Sequence, residues 1–435
     1  MLSNKVSRVA EVSVQAPGHA RGLTWEEIVV CSKSYGDSFY LFEEDAFRGN
    51  FNRLQTAFSA TYQKTKIAYS YKTNYTPAVC NLVDVLGGYA EVVSEMELNL
   101  ARSLGITGSQ IIYNGPCKSP RSIQTAMQCG ALINIDSWQD YRNVMAIAST
   151  LDEYKAVVGI RCNFGMEGRE RSRFGIDVDT PEFNDVVKGI RSTGKLVLAG
   201  LHCHFADRDL ESFRLRTLGI LEVAKRLFPD QIGFIDIGGG FFGELPESLR
   251  CLQKTSPPSF CEYAEVVGGL CAEAFEGMES PPILFIEPGT ALVADTFRFY
   301  ARVLDIRNVG SRRIATVAGS IQNISPHARS LRLPVRVLSD GTTHDLTSED
   351  QDVDIAGYTC MESDLLTRGM RANVKVGDFL EYSNVGSYSI VMKPPFILPN
   401  VPILMLAGSS RSIREIRRRE EPDSLFSTFV TKQSL

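Results

Sequence analysis

The segment IAYSYKTNY (67–75) alternates apolar and polar side chains like a half-buried strand and then reaches Lys72, with Asn74 two residues on. A lysine aimed out of the end of an apolar strand is either a solvated surface cation or an amine placed to condense with a carbonyl compound. A second stretch, Ile235-Asp236-Ile237-Gly238-Gly239-Gly240-Phe241, ends a buried run on three glycines. Such glycines let the backbone approach an anion closely and aim several N–H groups at it; a plain tight turn is the alternative. The spacing is not GxGxxG, which disfavours a dinucleotide site. Glu287, in FIEPGT, follows an apolar run and precedes Pro288. Its carboxylate is expected to be desolvated and to need a partner, either an internal arginine or a protonated ring nitrogen. His204, in LHCHFAD, ends a strand where its imidazole can lie flat over a planar ligand, whereas His202 reads as a core histidine. Cys360, in GYTCMESD, lies four residues before Asp364 and is either a site residue or a buried structural thiol.

An amine, anion-binding glycines, a buried carboxylate and a flat-lying imidazole together call for one cofactor. It is a planar, phosphorylated, aldehyde-bearing pyridine, pyridoxal 5'-phosphate, whose ring draws electron density from a carbanion at the substrate α-carbon. No metal site is expected. The ten cysteines include no CxxC pair, and only His202 and His204 lie close together among five histidines.

These residues can meet only if several strands end on one face. Eight strand-like runs alternate with helix-length segments: IAYSY (67–71), YAEVV (89–93), IIYN (111–114), LINI (132–135), AVVGIRC (156–162), LVLAGLHC (196–203), FIDIG (234–238) and ILFIE (283–287). The alternation implies parallel strands with helical crossovers, and eight units favour a closed α/β barrel of the (β/α)8 type over an open doubly wound sheet. Lys72, Ser94, Asn114, Asp136, Asn163, His204, Gly238 to Gly240 and Glu287 all fall at or just past a run's C-terminal end, the catalytic face of such barrels. Past residue 296 the texture becomes β-rich with short connections, and DSFYLF (37–42) is expected to join that part. The division is therefore a barrel over 46–295 and a discontinuous β-domain over 1–45 and 296–435. The charged tail IREIRRREEPDSL (413–425) reads as a solvated helix or an extended surface segment.

Composition sets the class. A chain of 435 residues, 44% hydrophobic and 22% charged, is ordinary for a soluble globular protein and long enough for two domains. A net charge of −5 gives no reason to expect nucleic acid or an acidic membrane as partner. The N-terminal MLSNKVSRVAEVSVQ has no apolar core of leader length, and no run spans a bilayer. The cysteines read as reduced, mostly buried thiols, so a cytoplasmic location is expected.

From SFYLFEED near residue 38 to VGSYS near 386, the chain resembles the pyridoxal-phosphate decarboxylases with the alanine-racemase-like barrel, which include diaminopimelate, ornithine and arginine decarboxylases. The resemblance rests on YSYKTN, HCHFA, DIGGGF, EPG, the C-x-x-x-D segment and NVGSYS, in the family's order. It implies Lys72 as the Schiff-base lysine, His204 as the ring-stacking histidine, Gly238, Gly239 and Gly240 as the phosphate loop and Glu287 as the pyridinium partner. It also implies a homodimer with shared active sites, in which Cys360 reaches the partner's barrel as proton donor to the decarboxylated α-carbon. Tyr388 resembles the tyrosine that reaches the cofactor phosphate and is assigned, with Cys360, to the partner's site. Arg161 and Arg173, with Asp364, are candidates for orienting an amino-acid substrate or the site loops.

Three positions depart from the family pattern. Thr290 stands where an arginine usually follows EPG, and Asp207 where a serine usually lies near the phosphate, so that either the loop is displaced or Arg208 screens its charge. Met361 stands where an acidic residue usually grips a distal ammonium. NGPCKS and NVGSYSIV look closer to the diaminopimelate branch, yet the changed anchors suggest a modified or conjugated amino acid from specialised biosynthesis. Diaminopimelate decarboxylation itself, racemisation on the same barrel and a non-catalytic binding protein are the alternatives.

Overall fold

The structure is a computed structural model, and it describes residues 21–151, 155–253, 255–325, 333–340, 342–343, 351–408 and 410–430. The N-terminal stretch read above for a leader, residues 1–15, lies outside the described residues.

The first strand, β1 (Ser38–Glu43), precedes the barrel. The barrel strands are β2 (Thr65–Ser70), β3 (Tyr89–Val92), β4 (Ile111–Tyr113), β5 (Leu132–Ile135) and β6 (Ala156–Asn163). After a two-residue strand, β7 (Ile176–Asp177), come β8 (Leu196–His202), β9 (Phe234–Asp236) and β10 (Ile283–Ile286). All pairings among them are parallel, in the order β5-β4-β3-β2-β10-β9-β8-β6, and β5 also pairs with β6. That last pairing closes the sheet, so the barrel holds and the open alternative does not. β7 only extends the outer side of β6.

Helices start where the sequence offers caps. Ser94, Ser137, Thr180 and Asp209 each accept a backbone N–H from the third residue of the helix they open. Ser94, expected at the barrel mouth, is thus occupied by the helix Glu95–Ser103.

Alternation along each strand sorts the side chains. Ile67, Tyr69, Val92, Ile111, Ile133, Ile160 and Ile235 pack in the main core, which also takes in helix residues such as Phe47, Val83 and Val144. Ala68, Ile112, Phe234 and Phe285 form a small separate cluster, with Tyr89, Leu132 and Ala199 against it. They are the inward set. Two residues further along the strands, the inward positions turn polar: Ser70, Glu91, Asn114, Asn134, Arg161, His202, Asp236 and Glu287, each at most 8% exposed. One polar side chain from each of the eight strands therefore lies in a single layer above an apolar floor. Gly200 permits the floor, because a Cβ there would lie 2.2 Å from Phe234 O and 2.6 Å from its ring.

The chain then enters β11 (Phe297–Val309). β1 lies between β11, to which it is antiparallel, and the strand Ile403–Ala407, to which it is parallel. Phe379–Ser383 flanks β11 on its other side. A bulge between Val303 and Asp305 lets the far half of β11 pair with Arg312–Val317, which carries Gln351–Ala356 and Leu365–Ala372. Arg298 of β11, 7% exposed, bonds Glu43 of β1 at 2.9 Å and Glu381 at 2.6 Å, pairing buried charges across three strands. Within the tail, Ser412–Arg417 is a strand antiparallel to Ile403–Ala407, followed by the short helix Pro422–Phe426.

Candidate active site

Lys72 follows β2 on a 3-10 turn, Tyr71–Thr73, which swings its amine over the polar layer. Its Nζ donates to Glu91 Oε2 at 2.5 Å and to Ser70 Oγ at 3.3 Å, with 35% of the side chain still exposed. Burial works against the ammonium, but the carboxylates of Glu91 and Glu287 outweigh it and hold the amine above its ordinary value. Asn114 Nδ2 donates to Glu91 Oε1 at 3.1 Å and to Glu287 Oε1 at 2.5 Å, while Asn134 Nδ2 donates to Asn114 Oδ1 at 2.8 Å. One amide thus joins the lysine's carboxylate to Glu287.

Burial pushes Glu287 up, yet His202 and Lys72 overcome it, and the carboxyl lies well below the usual range. It is a buried carboxylate that stays ionised. His202 is buried as expected, but it belongs to this layer rather than to an apolar core, with Nε2 3.7 Å from Glu287 Oε1. Among the described residues, both nitrogens of His202, Asn134 Oδ1 and Asp236 Oδ2 have no hydrogen-bond partner. Buried polar atoms without partners are costly, and four of them share this one layer.

The glycines sit beside it. Gly239 N–H donates to His204 Nδ1 at 3.0 Å, which leaves the proton of a neutral ring on Nε2. Burial, with Lys72 nearby, holds that imidazole well below its ordinary value, so neutral is its resting form. Gly238 and Gly240 adopt φ +70° and +100°, in the left-handed region, and a Cβ on Gly239 would lie 2.3 Å from Glu287 O. Behind the loop, the fully buried Arg216 donates to Gly239 O at 3.0 Å, and Arg208 donates to Gly240 O at 3.0 Å and Phe241 O at 2.6 Å. Arg208 is therefore spent on loop carbonyls. The cation beside Asp207 is Arg169, whose Nη1 lies 3.3 Å from Asp207 Oδ2 while the same guanidinium grips Asp209. That corrects the expectation that Arg208 screens Asp207.

Arg161 lies in the layer and donates to Asp136 Oδ1 at 2.9 Å and His204 O at 3.2 Å. Arg173 is exposed and stacks on Phe174 at 3.9 Å. Thr290 opens a four-residue helix just past Gly289. Asn163 Nδ2 is taken up by Ser172 O.

Tyr388 also departs from expectation. Its N–H donates to Thr73 O at 2.9 Å and Asn74 Nδ2 donates to Gly386 O at 2.9 Å, so the NVGSYS loop lies on the lysine turn of its own chain. Its phenol is near enough to Lys72 and Arg208 to influence both. The backbone bond to Thr73 sets Tyr388 at the mouth of its own barrel, whereas the sequence reading assigns it to the partner's site.

Cys360 and Met361 are exposed, on the loop before Leu365–Ala372. Asp364 is buried beneath that loop. Its Oδ1 accepts from Ser320 Oγ and Ile321 N–H, and its Oδ2 from Thr359 N–H and Oγ1. Both oxygens hold the loop in shape, so neither is left to meet a substrate. The ten cysteines are all unpaired, but only five are buried, against the expectation of mostly buried thiols.

Sequence reasoning missed Glu91, Asn134, Asp236, Arg169 and Arg216. The signal for the strand residues was present: an ionisable or amide group inside an apolar run, in register with inward positions of its neighbours. An inward charge in a strand needs partners across the barrel, and these were visible only after closure.

The residues fit pyridoxal phosphate. A projecting amine, an ionised buried carboxylate, a neutral imidazole and a glycine loop with open space before Gly240, where a Cβ would meet nothing nearer than 3.8 Å, converge at one mouth.

Residues 48–294 match the family model described as "Pyridoxal-dependent decarboxylase, pyridoxal binding domain". The chain is 24% identical to the diaminopimelate decarboxylase of Methanocaldococcus jannaschii, over 91% of each protein. It is also 24% identical to that of Helicobacter pylori J99, over 91% of this chain and 96% of the relative. The crystal structure of diaminopimelate decarboxylase from M. jannaschii in co-complex with L-lysine shares the fold at TM-score 0.80 and 23% identity, covering 94% of this chain and 95% of that one. A lysine decarboxylase mutant in complex with PLP matches at TM-score 0.70 and 19% identity, over 88% and 95%. Among the described residues, no helix is long and apolar enough to cross a membrane.

Proposed function

We propose that this chain, which belongs to the pyridoxal-dependent decarboxylases, removes the α-carboxylate of a modified or conjugated amino acid as carbon dioxide. The observation that carries the decarboxylase reading is the hydrogen-bonded path Lys72–Glu91–Asn114–Glu287 at the barrel mouth.

When bound, pyridoxal phosphate supplies an electron sink for charge left on the α-carbon. Lys72 is the amine that holds its aldehyde, and Glu91 takes up or returns the proton on that amine. Glu287, ionised and fixed by Asn114, is the carboxylate that would hold a proton on the pyridine nitrogen. His204, neutral, covers the ring face without adding a competing charge. Gly238 and Gly239 keep their N–H groups on Asp236 and His204 and so shape the loop, which Arg216 and Arg208 hold from behind; Gly240 would turn its N–H to the phosphate, and Tyr388 would close that end from the same chain. Arg161 orients substrate through Asp136, while Asp364 shapes the Cys360 loop. The barrel over 46–295 would hold the cofactor, and the β-domain over 1–45 and 296–435 would complete the site across a homodimer. Cys360, exposed in its own chain, then delivers a proton to the partner's α-carbon.

Substrate choice follows from the missing anchors. Thr290 is short and neutral, and Met361, 46% exposed, cannot accept a hydrogen bond from an ammonium group. A substrate whose distal amine is masked or conjugated fits such a pocket; specialised biosynthesis is where such compounds arise. The second reading is diaminopimelate decarboxylation, favoured by the names of the relatives at 24% identity. Purified protein supplied with pyridoxal phosphate should release carbon dioxide from conjugated diamino acids faster than from free meso-diaminopimelate, lysine, ornithine or arginine. Preference for free diaminopimelate would overturn the substrate assignment. Inversion of an α-carbon without gas would make the protein a racemase, and cofactor binding with neither would make it a binding protein.

A further inference from the structure

Asp236 and Glu287 end neighbouring strands, β9 and β10, and both point into the polar layer. Asp236 is fully buried, and one ligand-type atom each of His202, Asp236 and Glu287 lie within 4.8 Å of one another. The two carboxyls are not equivalently served. Glu287 Oε1 accepts from Asn114 at 2.5 Å and has His202 beside it. Asp236 Oδ1 accepts only the Gly238 N–H, at 2.9 Å, and its Oδ2 has no partner among the described residues.

Two carboxylates this close in a dry interior repel strongly, so one of them holds a proton. We propose that Asp236 is a positioning residue that carries this proton as a neutral carboxylic acid, donates it from Oδ2 to Glu287, and thereby ties the charge of Glu287 to the first glycine of the loop. A carboxylic O–H satisfies the orphaned oxygen and adds a donor to the ionised partner in one contact. Asp236 Oδ1 meanwhile fixes Gly238, so the residue spans from the carboxylate to the anion loop.

The groups around Asp236 point the same way. Glu287 and Glu91 disfavour a second anion there, the Cys203 thiol is held neutral by burial, Lys72 is paired with Glu91, and His204 is neutral; His202 flanks Glu287. Burial, then the Glu287 charge, push the Asp236 carboxyl well above its ordinary value. The protonation is a property of the free chain, whereas its consequence for the cofactor rests on the reading of Glu287 given above.

Infrared spectra of the cofactor-free protein in heavy water test the protonation. A carboxylic-acid carbonyl band should persist in the wild type in mildly alkaline buffer, where Glu97, raised to about 7, has ionised, and should be missing there in Asp236→Asn. Its absence from the wild type, or its loss in Glu287→Gln but not in Asp236→Asn, overturns the assignment. Should Asp236→Asn fail to fold, persistence or absence of the wild-type band above neutral pH decides alone. Stoichiometric divalent metal retained by the purified protein and lost in Asp236→Asn would also overturn it, since a cation would then be the shared partner. Absorbance titration with pyridoxal phosphate reads the positioning role. Asp236→Asn, which keeps an acceptor for Gly238 and a donor for Glu287, should bind within a few-fold of wild type. Asp236→Leu, which keeps neither, should bind on the order of tenfold more weakly. Equal loss in both variants contradicts the positioning role without touching the decarboxylase reading, which carbon dioxide release tests separately.

Discussion

At the scale of single residues, the site is decided by which neighbours each titratable group meets. Glu91 raises the Lys72 amine through contact at 2.5 Å. Replacing it by glutamine removes that charge, so the pH at which pyridoxal phosphate half-saturates the lysine should move to lower values, as read by absorbance against pH. Glu97 shows the cost of the same burial where the nearby cation, Lys72, is too weakly felt to offset it. It caps the Val93 N–H at 2.7 Å, and burial raises its carboxyl from 4.5 to about 7. The folded protein therefore holds this proton more tightly than the unfolded chain does. Its favourable contribution is complete below about pH 4.5 and is lost as pH rises through about 7. Glu97→Gln keeps an acceptor for Val93 and removes the loss. Between mildly acidic and mildly alkaline buffer, the variant should gain on the wild type by on the order of 3 kcal/mol in urea denaturation.

At the scale of elements, the strand ends and the loop that follows β9 act as one unit. Gly239 has Glu287 O against it on one side and Arg216 on its carbonyl on the other. A methyl group there meets backbone rather than a flexible side chain, so it cannot be relieved by a rotamer change. Gly239→Ala is expected to lower cofactor affinity by on the order of a hundredfold, equivalent to roughly 3 kcal/mol of strain, measured by equilibrium dialysis of pyridoxal phosphate. The NVGSYS loop belongs to the same unit, because its backbone bonds to the lysine turn through Thr73 and Asn74.

At the scale of the whole molecule, the second sheet presents Cys360 on a loop that Asp364 shapes and that Tyr358 ties to Gly319. Among the described residues, no hydrogen bond or ion pair joins that loop to Lys72 or Glu287. If the partner's site receives Cys360, Lys72→Ala and Cys360→Ala should each be inactive alone. Mixing them under subunit exchange should restore carbon dioxide release, because one site in a mixed dimer has both residues intact. No recovery, with mixed dimers demonstrated by mass spectrometry, would place Cys360 outside the reaction.

The amino-acid sequence by itself determined the barrel and the identity of the cofactor. Both follow from local pattern: eight apolar runs at parallel-crossover spacing, with Lys72, three glycines and Glu287 at their ends. What it left undetermined were relations between strands. Glu91 and Asp236 stand in the runs YAEVV and FIDIG with no role assigned, and His202 reads as a core histidine, because their partners lie on other strands. Arg208 is the chain neighbour of Asp207, but the cation that meets it is Arg169, from a distant loop, and only the path of the two loops decides that. Tyr388 reads as a residue of the partner's site, and its backbone bond to Thr73, which sets it beside the lysine turn of its own chain, is invisible in the sequence. Periodicity is a property of one segment, whereas charge state and hydrogen bonding depend on what closure brings within about 4 Å, and closure is a property of the whole chain.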